Sequence, residues 1–198
     1  MVVIFLKVQA DIMKFFEKQI KSETVFKGVI VDVRSDVAEL STGKHVFREV
    51  VVHPGGVGIV PLTDDGKIIL VRQYRYPMSE ELLEIPAGKL DKGEDPLECA
   101  GRELSEETGC TATELVSLGE IYPSPGFCRE VLHLYLALGL KQGEMHLDED
   151  EFLSVEAVCI ERLLEKVMKN EISDAKTIIG ILKTKEFLRK RALEGQNG

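Results

Sequence analysis

The sequence predicts an α/β (α+β) fold in which helices pack on a mixed sheet, preceded by a small N-terminal antiparallel β subdomain. Alternating polar and β-branched residues over positions 23–52 are typical of strands. Shorter β-rich runs and helical patterns follow through the rest of the chain. The break His53-Pro54-Gly55-Gly56 separates these parts. We therefore expect an N-terminal helix/β region over residues 1–53 and a larger domain over residues 54–198.

The N-terminal region predicts a small sheet and, before it, a short helix. Phe15, Phe16 and Ile20 would share one face of that helix, and residues 24–40 and 44–53 predict strands. A sheet this small has exposed edges and few residues of its own. We therefore expect a partner for it, and a homodimer in which these segments embrace would supply one.

The larger domain predicts elements in the following order. Residues 57–75 give two strands joined by an Asp65-Gly66 turn, which is typical of a hairpin, and residues 82–88 give a short strand that ends in a loop. A helix follows, with Asp95 as its N-cap, Pro96 at its first position and Gly109 at its end. Further strands are predicted within residues 113–126 and 130–140, an acidic loop at 142–151, and helices at 160–170 and 173–195.

Composition narrows the classes of function. The net charge of −9 argues against broad electrostatic binding to nucleic acid or to an anionic membrane. A small phosphorylated substrate remains compatible with it, because a bound metal ion inverts the local field. No run approaches the roughly 20 apolar residues of a membrane span, and the four cysteines form no CxxC pair. We expect a cytoplasmic protein with reduced thiols.

Three glutamates share one sector of the predicted helix. At about 100° per residue, Glu106 and Glu107 lie within roughly 60° of Glu103. Like charges one turn apart repel, and carboxylates near a helix C-terminus cost roughly 0.3–1 kcal/mol each. A divalent cation would offset both penalties, and such hard oxygen ligands suit Mg²⁺ or Mn²⁺. A solvated acidic face is the alternative interpretation of these glutamates taken alone.

The residues around this sector have a fixed spacing. The pattern is G-x5-E-x7-R-E-U-x-E-E-x-G-U, where U is a bulky apolar residue, and it is filled by Gly88, Glu94, Arg102, Glu103, Leu104, Glu106, Glu107, Gly109 and Cys110. This pattern resembles the signature of the Nudix hydrolases, although Cys110 is a less typical residue for the last position. The resemblance implies a loop–helix–loop on an α/β/α sandwich that binds divalent metal and hydrolyses a nucleoside diphosphate linked to another group.

The same resemblance implies roles for individual residues. The metal ligands would be Glu103 and Glu107, with Glu106 as a second-rank ligand and the backbone carbonyl of Ala87 as another. Arg102 would assist catalysis by holding a glutamate in place, with a simple surface ion pair as the alternative. Glu94 would be structural or lie in the outer shell of the site.

The flanking sequence resembles the ADP-ribose pyrophosphatase branch of these hydrolases. Pro125 follows Gly109 by sixteen residues, and the run LLEIPAGKLDKGE and the N-terminal β segment are similar to that branch as well. The resemblance implies Mg²⁺-dependent hydrolysis of ADP-ribose to AMP and ribose 5-phosphate by a homodimer. Arg75 would meet the diphosphate, since a guanidinium gives planar, charge-assisted hydrogen bonds to phosphate. The other substrate residues would be Arg48 and Glu49 on the adenosine side, and Ser124, Gly126 and Glu130 around the terminal ribose.

Other interpretations of these residues stay open. Arg48 and Arg75 could form ion pairs on strand surfaces, and Phe26 could stack on adenine or belong to the core. In this branch the general base resembles a glutamate on an acidic loop well after the helix, here residues 146–152. Glu149 is the first candidate and Glu151 the second, against a solvated loop as the alternative.

Three other functions compete with ADP-ribose hydrolysis. A Nudix hydrolase for another sugar nucleotide, such as ADP-glucose or GDP-mannose, or one of broad range, would carry the same pattern. A module that senses ADP-ribose without cleaving it predicts a damaged pattern and usually an attached domain, whereas every carboxylate is present here. Enzymes that clear mutagenic nucleotides tend to be shorter and to lack the N-terminal sheet.

Overall fold

A computed structural model describes residues 15–147 and 152–196. Within these ranges the chain forms twelve strands and three helices. The strands are β1 Glu17–Lys27, β2 Asp32–Leu40, β3 His45–Val52, β4 Gly56–Pro61, β5 Lys67–Arg75, β6 Glu80–Glu84, β7 Ala87–Lys89, β8 Cys110–Thr111, β9 Glu114–Ile121, β10 Leu132–Leu138, β11 Lys141–Gln142 and β12 Leu153–Cys159. The helices are α1 Pro96–Thr108, α2 Ile160–Met168 and α3 Ala175–Gln196.

Contacts divide the described chain into two units. The first unit holds the residues up to His53 together with Ser124–Glu130, and the second unit holds the rest. The segment Ser124–Glu130 joins the first unit through its backbone: the Val51 amide donates to the Phe127 carbonyl at 2.8 Å, and the Arg129 amide donates to the Val51 carbonyl at 2.9 Å.

The first unit is built on an antiparallel sheet in the order β1-β2-β3. Every residue of β1 is exposed. The helix predicted around Phe15, Phe16 and Ile20 is wrong in its described part, because Ile20 lies inside β1. The pairing of β1 with β2, from Glu17 opposite Leu40 to Lys27 opposite Asp32, extends the strand through that position.

The second unit is an α/β/α sandwich with a mixed sheet. Strands run in the order β7-β4-β10-β9, with β4 and β10 parallel and the other pairs antiparallel, while β12-β5-β6 form an antiparallel sheet. Successive residues of β4 point to opposite faces. Ile59 therefore packs with Ala100 and Leu104 of α1, whereas Val60 packs with Leu163 of α2 and Ile181 of α3. The predicted α/β class is confirmed.

The predicted hairpin of β4 and β5 is wrong, although its turn is present. The Gly66 amide donates to the Thr63 carbonyl at 3.0 Å, and the Thr63 amide donates to the Lys67 carbonyl at 2.9 Å. Beyond the single bridge between Leu62 and Ile68 the strands separate. The two edges of β4 pair with β7 and β10, and those of β5 with β6 and β12, so no edge is left for a hairpin ladder.

Helix α1 begins and ends where the sequence predicts. The Asp95 carboxylate accepts the amide of Leu97 at 2.8 Å and that of Glu98 at 3.4 Å, and so caps the N-terminus. Gly109 takes a left-handed conformation with φ of 69°, and its amide donates to the Ser105 carbonyl at 2.9 Å. These caps fix the register of the carboxylates inside the helix. Among the described residues, no helix combines the length and apolarity that a membrane span requires.

Candidate active site

The carboxylates of α1 lie against strand β7. Glu103 is 9% exposed and Glu107 is 2% exposed. The Glu107 carboxylate accepts the backbone amide of Ala87 at 3.1 Å. A Cβ atom on Gly88 would overlap the Glu103 carboxylate, so glycine permits this close approach. The i, i+4 spacing of the two glutamates thus places both carboxylates beside the backbone of β7.

Arg102 binds three glutamates at once. Its Nη1 donates to Glu103 Oε1 at 2.8 Å and to Glu106 Oε2 at 2.9 Å. Its Nε and Nη2 donate to the two oxygens of Glu94 at 2.9 and 3.1 Å. Three carboxylates therefore share one guanidinium, and this group of four side chains carries a net negative charge. Arg102 therefore contacts two glutamates of α1 and one glutamate of the loop before it, and its predicted role in catalysis stays a prediction.

Glu94 anchors this arrangement from the loop before α1. Its Oε2 also accepts the backbone amide of Asp91 at 2.9 Å. The hydrogen bonds from Arg102, and then that from Asp91, lower the pKa of Glu94 to about 2. The same bond to Glu94, followed by the charge and hydrogen bond of Glu103 and the hydrogen bond of Glu106, raises the pKa of Arg102.

The donor chemistry of the site fits a hard divalent cation. Carboxylate oxygens of Glu103 and Glu107 are held at β7, next to the backbone of Ala87 and Gly88, and Mg²⁺ prefers such oxygen ligands. Among residues 15–147 and 152–196, no three His, Cys, Asp or Glu side chains already form a compact ligand set. The Arg102 guanidinium holds Glu103 and Glu106 at 2.8 and 2.9 Å. The ligand roles of Ala87, Glu103, Glu106 and Glu107 stay predictions.

Arg75 lies at the end of β5 in the same unit. Its Nε and Nη2 donate to Glu84 Oε1 and Oε2 at 2.8 and 2.7 Å, and Glu84 is 1% exposed. The hydrogen bonds to Glu84 raise the pKa of Arg75, with smaller contributions from the charges of Glu107 and Asp174.

The remaining predicted substrate residues belong to the first unit. A cavity of about 270 Å³ there is lined by Arg34, Arg48, Glu49, Val50, Pro125, Gly126, Phe127, Cys128 and Arg129. Three of the predicted residues are in this lining: Arg48, Glu49 and Gly126. Ser124 and Glu130 belong to the same segment, where the Ser124 carbonyl accepts the Cys128 amide at 2.9 Å and Glu130 lies 3.5 Å from His53 Nδ1.

Sequence reasoning missed two arginines of this cavity. Arg34 lies on β2, and its buried Nε has no hydrogen-bond partner among residues 15–147 and 152–196. Arg129 is the neighbour of the predicted Glu130 in the sequence, so it could have been predicted from that position. Arg34 carries no such signal, because an arginine on an alternating strand more often faces solvent.

The predicted bases Glu149 and Glu151 lie outside the described residues. The chain before them runs along the C-terminal end of α1. The Gly143 amide donates to the Gly109 carbonyl at 2.7 Å, and the His146 amide donates to the Glu106 carbonyl at 3.1 Å. The residues just before the acidic segment are thus hydrogen-bonded to the C-terminal end of α1, the helix that carries the carboxylates.

Comparison with known proteins agrees with this geometry. The model of the NUDIX domain matches residues 52–178. An ADP-ribose pyrophosphatase of Bacillus subtilis is 46% identical over 183 residues, which cover 91% of this chain and 97% of the relative. A methanol dehydrogenase activator of Bacillus methanolicus is 42% identical over 181 residues, covering 89% of this chain and 98% of the relative.

A solved structure supports the same assignment. The crystal structure of an ADP compounds hydrolase superposes with a TM-score of 0.79 at 25% identity, covering 88% of this chain and 95% of the other. The family match and these relatives define the class of the protein, a hydrolase of nucleoside diphosphate sugars. The chain belongs to the Nudix family.

The ion pair of Glu94 and Arg102 makes stability depend on pH. Because the folded pKa of about 2 is below the ordinary 4.5, Glu94 stabilises the fold fully above pH 4.5, and this contribution is lost as pH falls toward 2. We expect Glu94→Gln to lower the urea midpoint of the metal-free protein at pH 7, and this difference from wild type to shrink below pH 4.5. Glu114→Gln, at an exposed strand position, is the matched control. A midpoint difference that stays constant from pH 7 to pH 2 would contradict this account.

Proposed function

We propose that this chain is a cytoplasmic, Mg²⁺-dependent hydrolase that cleaves the pyrophosphate bond of ADP-ribose into AMP and ribose 5-phosphate. The observation that carries the proposal is the pair of buried carboxylates, Glu103 and Glu107, held against β7. The choice of ADP-ribose rests on the relative of that activity, which matches nearly the whole of both chains. Mn²⁺ is a chemically reasonable substitute for Mg²⁺ at oxygen ligands.

The proposed reaction is a displacement at phosphorus. Water attacks one phosphorus atom, the bond from that atom to the bridging oxygen breaks, and the bridging oxygen leaves with the other phosphate. Glu103, Glu106, Glu107 and the carbonyl of Ala87 would hold the cations, which neutralise diphosphate charge and make water more acidic. Glu149, or else Glu151, takes the proton of the attacking water. Arg102 keeps the α1 carboxylates in place through its contacts with Glu103 and Glu106.

Binding of the substrate would use two kinds of arginine contact. Arg75 would bind the diphosphate with the part of its guanidinium that Glu84 does not occupy. Arg48 would turn to the adenosine side with Glu49, while Ser124, Gly126 and Glu130 surround the terminal ribose. Arg48 pairs with Glu17 at 2.7 Å, and both side chains are at least 40% exposed. Such a surface pair contributes only about 0–1 kcal/mol, so a ligand can replace it at small cost.

A hydrolase for another nucleotide sugar is the second candidate, because the α1 carboxylates act on the diphosphate common to all of them. Turnover should be measured with Mg²⁺ over ADP-ribose, ADP-glucose, GDP-mannose, NADH and oxidised deoxynucleoside triphosphates, with products identified. We expect the highest kcat/KM with ADP-ribose and products AMP and ribose 5-phosphate. A higher value with ADP-glucose or GDP-mannose would move the assignment to that substrate, and tight binding without turnover would indicate a sensor.

Variants separate the metal ligands from the general base. We expect Glu103→Gln and Glu107→Gln to lose both Mg²⁺ affinity and turnover, the latter by about 10³-fold or more, with the fold intact. Glu149→Gln should lose turnover by about 10²–10⁴-fold and keep its Mg²⁺ affinity, since it removes only proton transfer. Calorimetry with Mg²⁺ and initial rates measure the two effects. Full activity of Glu103→Gln and Glu107→Gln would contradict the metal-site proposal. If Glu151→Gln loses turnover while Glu149→Gln stays active, the general base is Glu151 and not Glu149.

We also propose that the working form is a homodimer. The exposure of all of β1, including 57% of Phe26, supports a second copy as the cover for this sheet. Light scattering should give about twice the chain mass of 22.1 kDa. A single species of the chain mass at micromolar concentration would contradict the dimer.

A further inference from the structure

A second group of charged side chains lies on the α3 side of Glu84. The Glu84 carboxylate accepts Arg75 through both oxygens and also accepts Lys176 Nζ at 2.5 Å. The side chain of Lys176 is 11% exposed, and that of Glu84 is 1% exposed. A buried carboxylate is costly unless its charge is paired and its oxygens are bonded. Here two cations meet that requirement from opposite elements of the fold, β5 and α3.

The position of Lys176 is fixed by the start of α3. Asp174 Oδ2 accepts the Thr177 amide at 2.9 Å and so caps the helix, while Asp174 Oδ1 lies 3.1 Å from Lys176 Nζ. The Thr177 hydroxyl donates to Asp174 and accepts the amide of Ile85 at 2.8 Å, next to Glu84. The first turn of α3 is thus bound to the end of β6 by two contacts. Lys176 contacts the Glu84 side chain, and Thr177 contacts the Ile85 backbone.

The orientation of Arg75 depends on Glu84. Nε and Nη2 are both occupied by the carboxylate, whereas Nη1 donates to no group in the described part of the chain. Burial by itself would raise the pKa of Glu84, but Arg75 and Lys176 outweigh it and lower the pKa. Glu84 therefore stays ionised and keeps both oxygens as acceptors, which a bidentate contact with a guanidinium requires.

We propose that Lys176, acting through Glu84, is a positioning residue for Arg75. Lys176 and Glu84 fix the guanidinium by its Nε and Nη2 and so leave Nη1 for the diphosphate of the substrate. This inference rests on the proposed function, because it takes Arg75 as the residue that meets the diphosphate. It adds a residue from α3, 101 positions away in the chain, to the determinants of substrate binding.

A double-mutant cycle on KM tests this inference. The variants are Lys176→Met, which keeps length and removes charge, Arg75→Met, and the double variant. Lys176 and Arg75 share Glu84 as a partner, and substitutions within one such network are non-additive. We expect Lys176→Met to raise the KM for ADP-ribose about tenfold with kcat within about twofold, and to have no further effect once Arg75 is Met. Lys176→Arg should restore most of the loss. The control Lys185→Met lies on the same helix as Lys176, removes an exposed ion pair with Glu161 of α2, and should change neither KM nor kcat.

A spectroscopic measurement makes the test independent of turnover. The Arg75 Nε–H signal in a ¹H–¹⁵N spectrum is the one that disappears in Arg75→Met. We expect slow hydrogen exchange of this proton and a shift on addition of ADP with Mg²⁺ in wild type. In Lys176→Met the exchange should be about tenfold faster and the shift with ADP reduced. If Lys176→Met does not fold, Lys176→Gln takes its place.

The outcomes separate the two proposals. Wild type that hydrolyses no nucleotide sugar overturns the proposed function, and the Arg75 signal with ADP still decides the positioning role. Wild type that is active on ADP-ribose, with effects of Lys176→Met and Arg75→Met that multiply independently, overturns the positioning role alone. An Arg75 proton whose exchange and ADP shift are the same in Lys176→Met does so as well.

Discussion

The structure depends on accommodating two buried carboxylates beside a strand. Glu103 and Glu107 are almost inaccessible to solvent, and an unpaired charge at such a place costs several kcal/mol. The chain lowers this cost with the guanidinium of Arg102, the amide of Ala87 and the missing side chain of Gly88. The Nudix spacing places Arg102 and Gly88 where both can meet the Glu103 carboxylate.

Local rules predicted this part of the chain well, because its constraints act over few residues. Asp95, Pro96 and Gly109 each satisfy a capping requirement within one turn of α1, so its bounds follow from the sequence. Arg102 reaches Glu94 and Glu106 by helical and loop spacing alone. The side chains of the α1 cluster therefore all come from one short segment of the sequence.

Other features of the fold depend on contacts between residues distant in the chain, which local sequence patterns do not predict. The prediction of a β4–β5 hairpin was wrong because both strands pair along both edges with other strands, including the distant β10 and β12. The union of Ser124–Glu130 with the first unit rests on backbone bonds to Val51. The contact of Lys176 with Glu84 joins residues 92 positions apart, and nothing in the pattern around either residue indicates it. Strand β12, in contrast, has an alternating sequence that could have been recognised.

The signs of the three charged clusters suit three different tasks. The α1 cluster is net negative, with Glu94, Glu103 and Glu106 around Arg102, which favours a cation. The Glu84 cluster pairs two carboxylates with two cations, Arg75 and Lys176, and such a balanced network can hold a side chain in place without a ligand. The cavity of the first unit has three arginines and one glutamate in its lining, which favours an anionic ligand despite the overall charge of −9. Each of these preferences follows from the charges within one unit alone, so the net charge of the whole chain does not predict them.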